Sequence, residues 1–346
     1  MKHTLFYFLL LILASCSSKE EINSVVDGEY FIPKVEIRNL NGKNVGPKGV
    51  INLVTSLNIV GEDIIFIEQK PTKLNSIFNV YSSSDFTLKY EGGSLGEDPG
   101  SIKNPEFIKL VGYSKNRNEV TYFDFTVPGI NTINLESNKI SPYVDLTEAG
   151  GGIQVVARMN DSTVVYSGLD NEAQLVIRNI VSGNEIEIPF ENYFDISDSS
   201  RNAYIYNPRS IAFLPDHNII AGANTTNNSM MYYDLDQQNL NYILIGENEN
   251  IQDGMLDRSV SYYTTIKSIN NGFYGHFAGF SGFQQTVLSN IALLKTEVHL
   301  YDVETKELTI FKLDRLTNDC IVNEELKYIL CIDEGNESQP LVKYEI

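Results

Sequence analysis

Histidine, cysteine and paired carboxylates are the side chains from which a catalytic or metal centre is usually built, and this chain arranges few of them for that purpose. Beyond His3, the histidines are His217, His276 and His299, which lie far apart in sequence. None has the short spacing of zinc ligands. The Gly-x-Ser-x-Gly elbow of hydrolases and the phosphate-binding Gly-Lys-Ser/Thr loop are both absent. The sequence therefore predicts no catalytic residue, no resident metal and no cofactor.

One segment brings aromatic side chains together among glycines. Residues 272–285 hold four Phe, a Tyr and a His between four Gly. Tyr274, His276 and Phe280 are candidates for a platform that binds a ligand or docks a partner. Because Trp is absent from the chain, stacking against a sugar would rest on Tyr or Phe. The alternative is an ordinary hairpin whose aromatic side chains belong to the core.

The first of the three cysteines, Cys16, follows a signal-like segment. Lys2 precedes an apolar run over residues 5–14, which is shorter than the ~20 residues of a membrane-spanning helix. The sequence Leu13-Ala14-Ser15-Cys16 resembles a bacterial lipobox, in which the cysteine is acylated and the chain is cut before it. The resemblance implies a lipoprotein signal peptide over residues 1–15, lipidation of Cys16 and a lipidated acidic tether over residues 16–27. A plain secretory signal is the alternative.

The residues after Cys16 bear on the membrane that holds the chain. Ser18-Lys19-Glu20-Glu21 resembles the short export tag of surface lipoproteins in the Bacteroidetes. That resemblance implies an outer-membrane protein, anchored by its acyl chains and facing the cell surface. If the segment is an ordinary acidic tether, the periplasmic face is the alternative.

The other two cysteines, Cys320 and Cys331, flank a predicted hairpin. With a turn near Glu325, the two thiols would face each other across adjacent strands. An exported protein can keep a disulfide, although bridges directly across two strands are strained. A disulfide and two buried free thiols therefore both remain open.

Charge and composition restrict the partners and the fold class. The formal charge of the chain is −19, and 20 Tyr and 17 Phe accompany many β-branched residues. Phosphates would be repelled by such a chain, so nucleic acid is excluded as a partner. Aromatic and β-branched residues favour strands.

Short alternating strands separated by polar turns repeat along the chain. A hairpin pattern of apolar residues, an aromatic and a small polar residue recurs, with that polar residue at positions 82, 124, 179, 234 and 302. Units of roughly 40–50 residues with four strands each are typical of propeller blades. We therefore predict an all-β, six-bladed β-propeller of four-stranded antiparallel blades, forming one domain over residues 28–346. A β-sandwich followed by a second β domain is the alternative.

The last blade begins near Asp319 and has about three strands in sequence, so it lacks one. We expect residues 30–38 to supply the missing outer strand. Pairing of the amino-terminal and carboxyl-terminal strands would then close the ring and remove exposed strand edges.

A Gly- and Pro-rich stretch follows the first predicted blade. In residues 96–105, Gly96, Pro99, Gly100 and Pro105 match a motif of the TolB-like and NHL-like six-bladed propeller lipoproteins of Bacteroidetes, whereas Asp98, Ser101 and Ile102 depart from it. The stretch resembles that motif and is expected to be a turn between blades. The resemblance implies a lipid-anchored propeller and supplies no catalytic residue.

Together these features predict a lipid-anchored binding or interaction module. Its expected partners are the membrane, through acylated Cys16, and a protein or glycan ligand. The alternative is a surface hydrolase or lyase that acts on glycans or peptides at the axial face of the propeller. A structural subunit beside an outer-membrane transporter is the third hypothesis.

Overall fold

Strands that are neighbours in sequence pair into four-stranded antiparallel sheets in a computed structural model of the protein. The structure describes residues 28–46, 54–68, 76–98, 100–126, 129–147, 152–168, 175–188, 208–246, 251–252, 255–256, 260–281, 294–333, 335–336 and 338–346. The six-bladed, all-β fold predicted from the sequence is confirmed.

Three strands precede the blades in the chain: β1 (Gly28–Phe31), β2 (Lys34–Asn39) and β3 (Lys43–Val45). Blade 1 contains β4 (Val54–Val60), β5 (Asp63–Glu68), β6 (Phe78–Ser82) and β7 (Leu88–Gly92). Blade 2 contains β8 (Ile108–Ser114), β9 (Glu119–Asp124), β10 (Gly129–Asn134) and β11 (Lys139–Asp145). Blade 3 contains β12 (Ile153–Asn160), β13 (Thr163–Gly168), β14 (Leu175–Asn179) and β15 (Glu185–Ile188).

Blade 4 contains β16 (Ser210–Leu214), β17 (Ile219–Ala223), β18 (Ser229–Asp234) and β19 (Asn239–Leu244). A two-stranded hairpin of β20 (Ile251–Gln252) and β21 (Met255–Leu256) follows it. Blade 5 contains β22 (Val260–Ile269), β23 (Gly272–Ser281), β24 (Glu297–Asp302) and β25 (Glu307–Lys312). Blade 6 contains β26 (Thr317–Asn323), β27 (Tyr328–Asp333) and β28 (Leu341–Glu345). Short 3-10 helices lie at Pro105–Phe107, Lys115–Arg117 and Pro215–His217.

The hydrophobic core lies between the blades. In each blade the strands alternate, so that apolar side chains of both sheet faces pack against the neighbouring blades. The contact between blades 6 and 1 is as apolar as the others: Leu57 and Phe66 pack with Ile321 and Leu330. Because the last blade packs against the first, the sheets form a closed ring.

Pairing of the two chain ends closes blade 6, as expected, but with a different segment. The outer strand of this blade is β3, which pairs antiparallel with β28. Residues 30–38 instead contribute to β1 and β2, which add parallel fifth strands to blades 4 and 5. The amino-terminal segment therefore runs along the outer edges of three consecutive blades.

Two residues explain why β3 occupies the last edge. Gly42 lies so close to blade 6 that a Cβ there would be 2.3 Å from Val342 Cγ2. Asn44 Nδ2 donates to Asp333 Oδ2 (3.1 Å) and to the Gln339 carbonyl (3.0 Å). Every side chain of β2, in contrast, is exposed. Alternation alone fits any outer edge, so the sequence pattern could not distinguish these strands.

The repeated hairpin ends in the same turn in five blades. A polar residue at the end of the third strand is followed, four positions later, by a residue with left-handed backbone. These pairs are Ser82 and Phe86, Asn134 and Asn138, Asn179 and Gly183, Asp234 and Gln238, and Asp302 and Lys306. The prediction that placed position 124 in this series is wrong. Asp124 ends the second strand of blade 2, where its Oδ1 accepts the Thr126 N–H (2.8 Å) in a similar turn at the opposite end of the blade.

The two faces of the ring differ in how they connect strands. On one, the short-turn face, strands are joined by tight turns, such as residues 61–62, 135–138, 161–162 and 303–306. On the other, the long-loop face, the chain passes from blade to blade and from the second to the third strand of each blade, and the strand ends there are farther apart in sequence, as between Ile188 and Ser210 or between Ser281 and Glu297. Each innermost strand begins at the long-loop face.

Candidate functional site

The innermost strands of the six blades surround a central channel. The channel has a volume of about 690 Å³ and is lined by residues of β4, β8, β12, β16, β22 and β26. Most of its wall is apolar, because the channel side chains include Val111, Val155, Ala157 and Ala212. Cavities of ~300–1,000 Å³ with a few polar groups are the usual sites for small ligands. The channel is therefore the candidate functional site.

A buried ion pair joins three strands in the channel wall. Lys267 Nζ lies 2.6 Å from Asp319 Oδ1, and the two side chains are 18% and 4% exposed. Lys267 Nζ also donates to the carbonyls of Leu57 (2.8 Å) and Cys320 (3.0 Å). These three bonds use all the donors of an ammonium group.

The carboxylate oxygens of Asp319 also accept several hydrogen bonds. Its Oδ2 accepts the Leu57 N–H (2.9 Å), while its Oδ1 also accepts the Thr265 hydroxyl (3.2 Å) and the Cys320 N–H (2.8 Å). Burial lowers the pKa of Lys267, although the nearby Asp319 carboxylate opposes this shift. The pair links blades 1, 5 and 6, and its partners leave little capacity for acid–base chemistry.

A second lysine in the channel, Lys109, has different surroundings. It is the second residue of β8 and lines the channel with an accessible side chain. Its Nζ lies 5.6 Å from the centre of the Phe125 ring, and no carboxylate of the described part of the chain forms an ion pair with it. Desolvation by the channel wall lowers the pKa of Lys109; the carboxylate of Asp319 opposes that shift, and the cations Arg209 and Lys267 add to it.

The position of Lys109 follows from strand alternation. Its neighbours Ile108 and Leu110 pack in the core between blades 1 and 2, whereas Val111 packs towards blade 3. Lys109 shares the Val111 side of the strand, which carries its ammonium towards Phe125 and the channel. Since β8 begins at the long-loop face, Lys109 lies near that end of the channel.

Two other charged side chains, Arg158 and Glu106, also line the channel. Arg209 lies just before the innermost strand β16 and donates to Gln154 Oε1 (2.5 Å), which holds it at the start of blades 3 and 4. Arg158 contacts the Asp161 carboxylate and lies over the Tyr143 ring. Glu106 lines the channel with an exposed carboxylate. Within the described residues, no group of three or more His, Cys, Asp or Glu side chains is placed to hold a metal ion.

The aromatic segment from residue 272 forms the whole of β23, and two of its predicted platform residues are buried. Tyr274 is 1% exposed, and its hydroxyl accepts the Val322 N–H (3.3 Å). His276 is also 1% exposed, with Nδ1 2.6 Å from the Thr264 hydroxyl and Nε2 3.0 Å from the Thr317 hydroxyl. These two side chains therefore belong to the core hairpin that was the alternative interpretation. The Phe280 side chain lies outside the described residues.

The remaining histidines do not converge with His276 on the channel. His299 is buried in blade 5, between Tyr263 Oη (2.9 Å) and Glu297 Oε2 (2.9 Å). His217 lies in the 3-10 turn after β16, on the short-turn face. Burial lowers the pKa of His276 to about 4 and lowers that of His299 as well. Both buried rings are therefore neutral at pH 7.

The two carboxyl-terminal cysteines lie opposite each other on β26 and β27 and are joined as a disulfide. Both are fully buried in the core between blades 5 and 6. Cys16 lies outside the described residues. No helix in the described part of the chain is long and apolar enough to cross a membrane.

Lys109, Lys267 and Asp319 were not recognised as site residues from the sequence. The available signal was a charged residue within an apolar innermost strand, as in Ile108-Lys109-Leu110-Val111 and Asp319-Cys320-Ile321-Val322. The predicted turn between blades at residues 96–105 is confirmed: the Gly96 N–H donates to the Ile102 carbonyl (3.1 Å), and blade 2 begins soon afterwards.

No protein-family model and no curated protein matches this sequence. Solved structures do resemble it. A member of the DUF4221 family from Bacteroides vulgatus is 10% identical, with a TM-score of 0.57, over 88% of this chain and 97% of that one. An exported protein from Bacteroides fragilis is 10% identical, with a TM-score of 0.51, over 93% and 99% of the two chains.

A third structure, U3-55K, is 8% identical, with a TM-score of 0.51, over 85% of this chain and 96% of that one. These likenesses show the fold alone. The propeller has near-complete counterparts of the same size, at sequence identities too low to carry a function.

Proposed function

We propose that this chain is a lipid-anchored protein of the bacterial outer membrane, facing the cell surface, that binds a ligand in the channel of its propeller. The central channel carries the proposal: it has the volume of a small-molecule site and a lysine ammonium without a carboxylate partner among the described residues. A binding role is favoured over a hydrolase or lyase activity because Lys267 and Asp319 are held by hydrogen bonds between blades, which leave them little capacity for acid–base chemistry.

The anchoring part of the proposal rests on the sequence. The lipobox-like Leu13-Ala14-Ser15-Cys16 and the tag-like residues after it imply acylation and export. The motif over residues 96–105 and the similarity to propellers from Bacteroides fit a TolB-like or NHL-like envelope lipoprotein. An acyl chain contributes ~0.8 kcal/mol for each buried CH₂, so several chains anchor stably. Replacing Cys16 with Ala should release the protein from membranes and abolish labelling by palmitate; retention of the variant would contradict the anchor.

Gly112 offers a way to test the channel directly. It lines the channel, and a Cβ added there would meet no atom within 4 Å. Gly112→Trp should therefore fill the lumen without disturbing the blades. Leu326→Trp is the matched control, because Leu326 is exposed in a turn of the short-turn face.

The experiment is a ligand-observed NMR screen of monosaccharides, short peptides and small carboxylates against the mature protein. Compounds that bind the wild type and Leu326→Trp, but not Gly112→Trp, would support binding in the channel. Compounds that bind Gly112→Trp equally well would contradict it. The same spectra report turnover, so conversion of a bound glycan or peptide would favour the hydrolase or lyase instead.

A further inference from the structure

The two channel lysines differ in what holds their ammonium groups. Lys267 donates to one carboxylate and two carbonyls at 2.6–3.0 Å, so its hydrogen-bonding capacity is filled. Lys109 has only the face of Phe125 near its Nζ within the described residues. Its side chain is accessible from the channel, and no carboxylate of the described residues forms an ion pair with it. Lys109 is therefore positioned to meet a group that is not part of the fold.

The charges around Lys109 favour an anion. Arg209 and Lys267 are cations near it, and the neighbouring carboxylate of Asp319 is already paired with Lys267. Glu106 also lines the channel, but it forms no ion pair with Lys109 in the described structure. Among the described residues, Lys109 thus keeps an unpaired ammonium in the channel of a chain whose formal charge is −19.

The apolar channel wall next to Lys109 favours a ligand whose uncharged part is apolar. Phe125 lies under the ammonium, and its ring meets that of Phe123 edge-on at 4.9 Å between centres. Val111 and Val155 continue the apolar lining. A doubly charged, strongly hydrated anion would lose much solvation here for a single free ammonium, whereas a monoanion with an apolar body would use both features.

We propose that the channel binds a carboxylate attached to an apolar or aromatic body, with the carboxylate accepting hydrogen bonds from Lys109 Nζ and the body lying against Phe125. This inference rests on the proposed binding function and names its ligand class. It assigns Lys109 as the residue that determines specificity for the charged group.

The absence of Trp from the chain provides a sensitive assay. Phe125→Trp places a single fluorescent indole under Lys109, and this variant is the parent for all others. Benzoate, its uncharged analogue benzamide and inorganic phosphate serve as probes at constant ionic strength. The second substitutions are Lys109→Met, Lys109→Arg and, as a matched control on the exposed start of β11, Lys139→Met.

Benzoate should change the Trp emission with saturation and bind at least about tenfold more tightly than benzamide, because a hydrogen bond to a charged group in a desolvated site is worth more than one to a neutral group. Lys109→Met should reduce benzoate affinity to the level of benzamide. Lys109→Arg should retain the preference for benzoate, and Lys139→Met should leave it unchanged.

Equal affinities for benzoate and benzamide, unchanged benzoate binding in Lys109→Met, or no saturable response to benzoate would each overturn the inference. Tighter binding of phosphate than of benzoate would overturn the carboxylate assignment. A fall in melting temperature in Lys109→Met would instead indicate that Lys109 supports the fold; we expect this variant to be at least as stable as its parent.

The outcomes separate this inference from the proposed function. If Gly112→Trp abolishes ligand binding while Lys109→Met does not, the channel is a binding site but the anion preference is wrong. If ligands persist in Gly112→Trp, the channel proposal itself is contradicted.

Discussion

The two faces of this propeller are built differently. On the short-turn face, the same turn recurs in five blades, and its polar side chains bond to the backbone within the turn, as Asp302 Oδ1 does with the N–H groups of Glu304 (3.0 Å) and Thr305 (2.8 Å). Towards the long-loop face, some polar side chains, among them Asp319 and Arg209, bond across blades instead. Local bonds fold each hairpin, whereas bonds across blades fix the wall of the channel.

This difference explains where a ligand site can develop. A turn whose side chains are satisfied locally has nothing to offer a partner, and it can be repeated from blade to blade. Channel residues depend on neighbours far away in sequence, so each blade contributes a different group. Lys109 is left without such a neighbour in the described structure, and for that reason we propose it as the residue that recognises a ligand. Function tends to lie on the irregular face of a regular scaffold.

Breaking the ion pair between Lys267 and Asp319, which joins blades 5 and 6, should have the largest effect on stability. Asp319→Ala should lower the free energy of unfolding by about 3–5 kcal/mol, because it leaves the Lys267 ammonium enclosed without its carboxylate. Urea denaturation of the mature protein measures this change. Lys34→Met is the control: its ion pair with Glu307 is on an exposed edge strand, and its loss should leave stability unaltered. A loss of unfolding free energy in Asp319→Ala that is no larger than in the control would show that the Lys267–Asp319 pair does not stabilise the contact between the blades.

Acid should lower the stability of the protein through His276, which lies on β23 of blade 5 and bonds to Thr317 of blade 6. Its folded pKa of about 4 lies below the ordinary value of 6.5, so the unfolded chain binds more protons between these two pH values. The free energy of unfolding should therefore fall as the pH drops from about 6.5 to 4, by up to about 3 kcal/mol from this residue. Burial is the main cause of the shift, opposed by Asp319 and reinforced by Lys267 and His299.

The measurement is the pH dependence of stability in the wild type and in His276→Gln. The variant should have a shallower slope over that range, with a remaining contribution from His299, whose pKa is also lowered. Identical slopes in the two proteins would mean that His276 is protonated as readily in the folded state as in the unfolded chain.

The short-turn face should show the smallest effects, because each turn is independent. Asp302→Ala removes the acceptor for two backbone N–H groups and should cost about 1 kcal/mol. Asp302→Asn keeps an acceptor oxygen and should cost less, as the natural Asn179 does the same in blade 3. Thermal unfolding of both variants measures the difference. A loss as large as that of Asp319→Ala would contradict the view that these turns act locally.

Much of the fold could be predicted because its signals are local. Alternating strands and polar turns such as Asp302 to Lys306 are contained in a few consecutive residues, and six units follow from their repetition. The prediction for position 124 was wrong for the same reason. The local bonding of the Asp124 turn resembles that of the turns after the third strands, and only the order of strands within blade 2 distinguishes them. Tyr274 and His276 resembled a platform because composition reports aromatic side chains but not their burial.

The sequence by itself determined the strand class, the number of blades and the turns that end them, because those depend on neighbouring residues and on side-chain alternation. The tertiary structure decided which edge strand closes the ring and which charged side chains of the described channel are left without an ion-pair partner. Lys109 and Lys267 are both lysines in innermost strands, and nothing beside them in sequence tells them apart. They differ because Asp319, Leu57 and Cys320 come from other blades to one and not to the other, and only closure of the ring brings those groups within hydrogen-bonding distance.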